Sequence, residues 1–209
     1  MGAAKIVIPL IIVGFLGIVF FNVWNWNNEL RESGCPGHWH TTFDVYVDGK
    51  KAGFPKPPYS LSGSEGGKLP LKMHMHQADN GNILHYEPST SEECQGVRET
   101  FRYLDITVNE RSLVFEAGSN HGSVAPGTYE VTEDKELRFF RQYANTEETT
   151  IGGVTYDAFS SYRNWEEISM GRALDIRQLP NFSKILIVYG DATDEQIQAW
   201  QQAVPDPPM

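Results

Sequence analysis

HWHTTFDVYVDGK, residues 38–50, is a strand followed by a turn: polar and bulky residues interleave up to Val47, and Asp48-Gly49 then breaks the run. Successive side chains of a strand point to opposite faces. Trp39, Phe43, Val45 and Val47 therefore share one face, read as the core face. His38, His40, Thr42 and Asp44 share the other, read as polar. Far along the chain, Lys184–Tyr189 (KILIVY) is an unbroken apolar and largely β-branched run. That is the composition of a strand buried on both faces, so it is the expected central strand.

Between these two strands lies HMHQADNGNILHYEP, residues 74–88. Leu71–His76 and Ile83–Glu87 read as short strands around Asp79-Asn80-Gly81, a hairpin signal. With a turn at Asn80-Gly81, His76 falls opposite His85 and His74 opposite Glu87. A four-residue loop puts His74 opposite His85 but keeps all four residues on one face. Only a bulged three-residue loop reverses the parity. Met73, Met75, Leu84 and Tyr86 take the other, apolar face, which favours core packing over thioether ligation for the two methionines.

Five of the six histidines lie between residues 38 and 85. Directly opposed Cβ atoms on neighbouring strands are about 5 Å apart, within reach of a shared ion. The candidate metal ligands are His38, His40, His74, His76, His85 and Glu87. Imidazoles with a carboxylate suit Cu²⁺ or Zn²⁺; copper is the expected metal and zinc the alternative. Five imidazoles exceed what one ion takes, which leaves open two ions, an exchangeable site, or histidines that only support the ligands. The bland alternative is a set of exposed strand histidines. His121, alone in the loop Gly118–Ser123, is assigned no role, and no residue is assigned as catalytic.

Other segments complete a strand-rich α+β expectation. Glu92–Leu104 has helical spacing with Ser91 as N-cap. Ser112–Glu116, Thr128–Thr132 and Leu137–Tyr143 are strand-like, and Gly152-Gly153 marks a further hairpin. Thr193-Asp194-Glu195-Gln196 is a capping box that opens a helix to about Ala203. The expected exported domain covers residues 38–204, as one mixed sheet or two small sheets with short helices, with a candidate subdivision near 110. Residues 205–209 form a Pro-rich tail, read as disordered.

Ile6–Trp24 is nearly all apolar, and its 19 residues would span roughly 28 Å as a helix, enough for a bilayer core. Lys5 supplies a positive inner flank, and Trp24 and Trp26 an outer aromatic belt. The expected order is a cytoplasmic stretch at 1–5, a transmembrane helix at 6–24 and a juxtamembrane linker at 25–37. No small-x-small cleavage site follows the apolar run, so the anchor is expected to stay uncleaved. In an oxidising compartment Cys35 and Cys94 are expected to form a disulfide, with thiolate ligation beside His38 as the rival. The net charge of −10, with no cluster of Lys and Arg, argues against nucleic acid as a partner. Nucleophile-elbow, phosphate-loop and Cys-x-x-Cys motifs do not occur.

HWHTTFDVYVDGK, HMHQADNGNILHYEP and KILIVYGD together resemble a little-characterised group of exported bacterial and archaeal membrane-anchored proteins. Those carry an H-x-H strand, an H-x-H…G-x-I-H-x-E hairpin and a closing strand ending in Tyr-Gly. The resemblance covers roughly residues 37–110 and 175–191. Phe101-Arg102-Tyr103-Leu104-Asp105 matches the group's Phe-rich helix only loosely. The resemblance implies export and a metal constellation, and it brings no reaction with it. The expectation is a membrane-anchored, extracytoplasmic metal-binding protein that serves a membrane enzyme complex as an accessory or delivery factor. The alternative is a structural subunit of a membrane complex whose histidines are incidental or hold structural zinc.

Overall fold

The computed structural model describes residues 15–22, 39–54, 73–78, 81–86, 97–151, 154–175 and 181–207; of these, 73–78, 81, 82, 86, 151 and 154–157 are described in their backbone only. The expected juxtamembrane linker, His38, Cys35, Cys94, Glu87 and Ser91 lie outside the described residues. Residues 15–22 form a helix, α1, and Phe15, Leu16, Ile18, Val19, Phe20 and Phe21 on it are all exposed. No helix among the described residues is long and apolar enough to cross a membrane.

β1 (Trp39–Val47) turns through Asp48-Gly49 into β2 (Lys50–Lys51). Both turn residues have positive φ, 48° and 79°, the pairing that a two-residue hairpin turn requires and that Asp-Gly tolerates. The histidine hairpin is β3 (Met73–Ala78) and β4 (Gly81–Tyr86). α2 (Val97–Tyr103) leads into a small antiparallel sheet of β5 (Ile106–Val108), β6 (Ser112–Phe115) and β7 (Gly127–Glu130). β8 (Glu136–Gln142) is followed by a separate two-stranded sheet of β9 (Ala144–Ile151) and β10 (Val154–Tyr162). β11 (Glu166–Ile168), α3 (Met170–Leu174), β12 (Ser183–Gly190) and α4 (Asp194–Ala203) complete the chain.

The main sheet has seven strands in the order β11-β8-β12-β1-β4-β3, with β2 also paired to β1. β1 and β12 run parallel; its other pairs are antiparallel, so the sheet is mixed and takes strands from both sides of residue 110. β12 is central and buried along its whole length, as its composition foretold. Gly190, at its end, has φ 128°, and a Cβ there would stand 2.9 Å from Asp48 Oδ1 and 3.3 Å from the Asp48 backbone. The Tyr-Gly ending of this strand therefore has a steric cause: the β1–β2 turn packs against it, with Asp48 N–H bonded to Tyr189 O at 2.8 Å.

One face of the sheet carries Trp39, Phe43, Val45, Val47, Leu84, Ile185 and Ile187, packed on Val97 and Phe101 of α2 and on the small sheet. The opposite face is not the solvated surface expected for it. Thr42 and Asp44 are fully buried there, and Tyr46, Phe140, Leu186 and Val188 pack under Ile197 and Val204. The reason is position: β1 is an inner strand with a layer on each side, so its alternation distinguishes two interiors rather than core from water. Thr193 caps α4 by the expected box, accepting from Gln196 N–H at 3.3 Å while Gln196 Oε1 accepts from Thr193 N–H at 2.9 Å. Trp200 of α4 stacks on Tyr46 at 4.4 Å.

The chain after α4 is docked, not disordered, through residue 207. Thr42 Oγ1 donates to Pro205 O at 2.7 Å, Lys184 Nζ donates to Val204 O at 3.2 Å and pairs with Asp206, and Pro207 is buried. His121, which the sequence left without a role, is also buried. Its Nδ1 hydrogen-bonds Gly53 O at 3.1 Å and its ring sits edge-on to Phe54 and Phe115, joining the chain after β2 to the small sheet.

Candidate metal centre

The site begins with register. In the β3–β4 hairpin Ala78 pairs with Gly81, so the two-residue connection is Asp79-Asn80, outside the described residues; the expected turn was one position later, at Asn80-Gly81. That moves every pairing by two places along a strand. His74, the alternative partner, and not His76, stands opposite His85, and His76 stands opposite Ile83. A shift of two preserves parity, so positions 74, 76 and 85 remain on one face.

β4 pairs on its other side with β1, and there His40 stands opposite His85. Positions 74, 85 and 40 thus form a straight row across three adjacent strands, with strand spacing of about 4.8 Å. The rings of His40 and His85 are 4.3 Å apart between centroids and inclined at 36°. Both imidazoles are half-buried. The β1–β4 backbone register joins the two histidine segments.

His40 is held more tightly than a strand position demands. Its N–H donates to Asn181 Oδ1 at 2.7 Å, and its carbonyl accepts from Phe182 N–H at 2.9 Å. The Phe182 ring lies nearly parallel to the imidazole, at 16° and 6.1 Å. Phe159 of β10 meets Phe182 edge-on at 6.4 Å. Nothing in the local sequence around Asn181-Phe182 signalled this wall, because it depends on the parallel pairing of β1 with β12.

A row of imidazoles spaced by one strand can offer two or three neutral nitrogens to one ion, with the middle residue, His85, able to share with either neighbour. Among the residues with described side chains, no group of three or more His, Cys, Asp or Glu converges on one point. The side chains of His74 and His76, and all of His38 and Glu87, lie outside that set. The residues fit a small imidazole-rich site whose described half is His40 and His85.

Asp44 lies on the same face, four residues beyond His40. Its side chain is fully buried, and its Oδ2 accepts from Lys51 Nζ at 2.6 Å, while Oδ1 makes no hydrogen bond among the described residues. Burial outweighs the neighbouring Lys51 charge and pushes this carboxyl up from 3.8 to about 6. Between about pH 4 and 6 the unfolded chain releases this proton while the folded chain keeps it. Stability from this group thus declines with rising pH across that window and is level above it. Asp44→Asn is expected to raise stability at pH 7 by on the order of 2 kcal/mol and to change it little at pH 4. Urea unfolding at both values checks this, and a loss at pH 7 would show instead that the Lys51 pair outweighs the burial.

Arg141 is a second buried charge that periodicity did not reveal. Its guanidinium lies 3.4 Å from the centre of the Tyr143 ring and donates to Glu166 at 3.1 Å and to the Arg172 carbonyl at 3.2 Å. Burial lowers its pKa to about 10, which leaves it charged at neutral pH.

Comparison of the chain with protein-family models, with curated proteins and with solved structures found no match.

Proposed function

We propose that this chain is a membrane-anchored, extracytoplasmic metal-binding protein, with copper as the metal and zinc as the alternative, acting as an accessory or delivery factor for a membrane enzyme complex. The observation that carries the reading is the row at positions 74, 85 and 40, with two of its rings 4.3 Å apart. Isolated surface histidines have no reason to align across three strands, whereas an ion needing several nitrogens does. Anchoring is supported by α1, whose large apolar side chains are 43 to 73 % exposed and need a non-aqueous surrounding. The Ile6–Trp24 run and the Lys5 flank support a helix with its amino terminus in the cytoplasm.

Delivery rather than catalysis suits a site whose neighbours are aromatic. The rings nearest His40 are those of His85 and Phe182, with Phe159 edge-on to Phe182. The second reading, a structural subunit with incidental or zinc-filled histidines, is favoured by one observation: His40 is half-buried and clipped to Asn181 and Phe182, as a packing residue would be. The test is the full chain extracted from membranes in mild detergent, with its copper and zinc content measured and its companions identified. Copper near one equivalent, removed by a chelator without loss of fold, is expected. Absence of metal together with a fixed stoichiometric partner would favour the structural reading.

A further inference from the structure

We infer that Phe182 is the selectivity residue of the histidine site: its ring closes the β12 end of the row, keeps water from completing the shell of a divalent ion, and so favours cuprous over cupric copper. The inference rests on the metal-binding reading above and adds the valence and the residue that sets it. Along the face, the order from the sheet edge inward is position 74, His85, His40 and then Phe182. The row thus ends on a hydrocarbon plane instead of on a fourth donor.

The backbone shows that this placement is imposed. Phe182 has φ 65°, in the left-handed region that a bulky side chain rarely adopts. It is held there by hydrogen bonds at both ends of His40. Asn181 Oδ1 accepts from His40 N–H and from Phe182 N–H, at 2.7 and 3.0 Å, while Phe182 N–H also reaches the His40 carbonyl at 2.9 Å. A turn serving only to enter β12 would put glycine or asparagine at this position. Here an aromatic residue takes the strained conformation, and the outcome is a ring nearly parallel to the His40 imidazole and only 8 % exposed. Phe159 meets that ring edge-on. Strain kept at a ligand-bearing strand is the pattern of a positioned site.

The chemistry follows from coordination number. Cupric ion takes a tetragonal set of nitrogen and oxygen donors, and zinc on three histidines keeps a water in its fourth position. Cuprous ion needs no such oxygen and is satisfied by two or three imidazoles. An apolar wall beside the ligands penalises the hydrated divalent forms and leaves the cuprous form unaffected, raising the potential of the bound couple.

The test compares the wild-type chain with Phe182→Gly, which removes the ring and suits the positive φ, and with Phe182→Leu, which keeps apolar bulk. Affinities for Cu⁺ and Cu²⁺ are measured by competition with chelators of known strength, and folding is checked by circular dichroism. In Phe182→Gly the ratio of cuprous to cupric affinity is expected to fall at least about tenfold, about 59 mV for a one-electron couple, with Phe182→Leu restoring most of it. An unchanged ratio in Phe182→Gly and Phe182→Leu, with wild type binding copper through its histidines, overturns the inference and leaves the site standing. A wild-type chain that takes up neither ion overturns both. Should Phe182→Gly not fold, Phe182→Tyr decides: a hydroxyl added at the wall should shift the ratio toward Cu²⁺, and no shift refutes the role.

Discussion

Replacing His40 and His85 together by alanine is expected to weaken copper or zinc binding by on the order of 100-fold or more, because it removes the middle and one end of the row at positions 74, 85 and 40. Titration with a chromophoric chelator measures this directly. The two rings are half-buried and pack on each other, so the double variant should also lose roughly 1–3 kcal/mol of stability while remaining folded. His121→Ala separates the two effects. That imidazole is buried among Phe54 and Phe115 and held by Gly53, outside the row, so its loss should destabilise the fold and leave metal affinity unchanged. Ligation needs neutral imidazole, so wild-type occupancy should fall as pH drops through about 6 to 5. A double variant with wild-type affinity would reduce the row to packing, and the structural-subunit reading would replace the present one.

Trp39→Ala is expected to have the largest effect on stability, about 3–5 kcal/mol. Trp39 is wholly buried, one residue from His40 and on the opposite face, where Phe43, Leu84 and Phe101 share its core. An indole-sized void at an inner strand has no flexible neighbour to fill it, since β4 and β12 flank β1 on both sides. Guanidinium unfolding measures the loss. A change below about 1 kcal/mol would mean that this face is less tightly packed than the buried cluster indicates.

Much of this architecture was legible because local chemistry and tertiary demand agree. Asp48-Gly49 supplies the two positive φ values of a tight turn, the Thr193 box supplies both N-terminal hydrogen bonds of α4, and KILIVY has the composition that a doubly covered strand needs. The face shared by positions 74, 76 and 85 was legible for the same reason, since parity survives any shift of two. The turn itself fell one position early, at Asp79-Asn80, because two neighbouring pairs of turn-forming residues compete and the β1–β4 register decides between them. Burial of the Thr42 and Asp44 face was not legible. Alternation reports that two faces differ; whether the more polar one meets water depends on α4 and Pro205, which arrive from the far end of the chain. The aromatic wall at Phe182 and the buried Arg141 depend likewise on long-range pairings that no window of sequence contains.

The central claim is that one ion sits among the imidazoles of this row, and locating that ion by anomalous scattering at the copper edge, in crystals of the copper-loaded protein, tests it most directly. The account predicts a peak about 2.0–2.1 Å from an imidazole nitrogen of His85 and from one of His40 and His74, with Phe182 beside it and without a full shell of water. A peak bound elsewhere, with the row at positions 74, 85 and 40 empty, would contradict it.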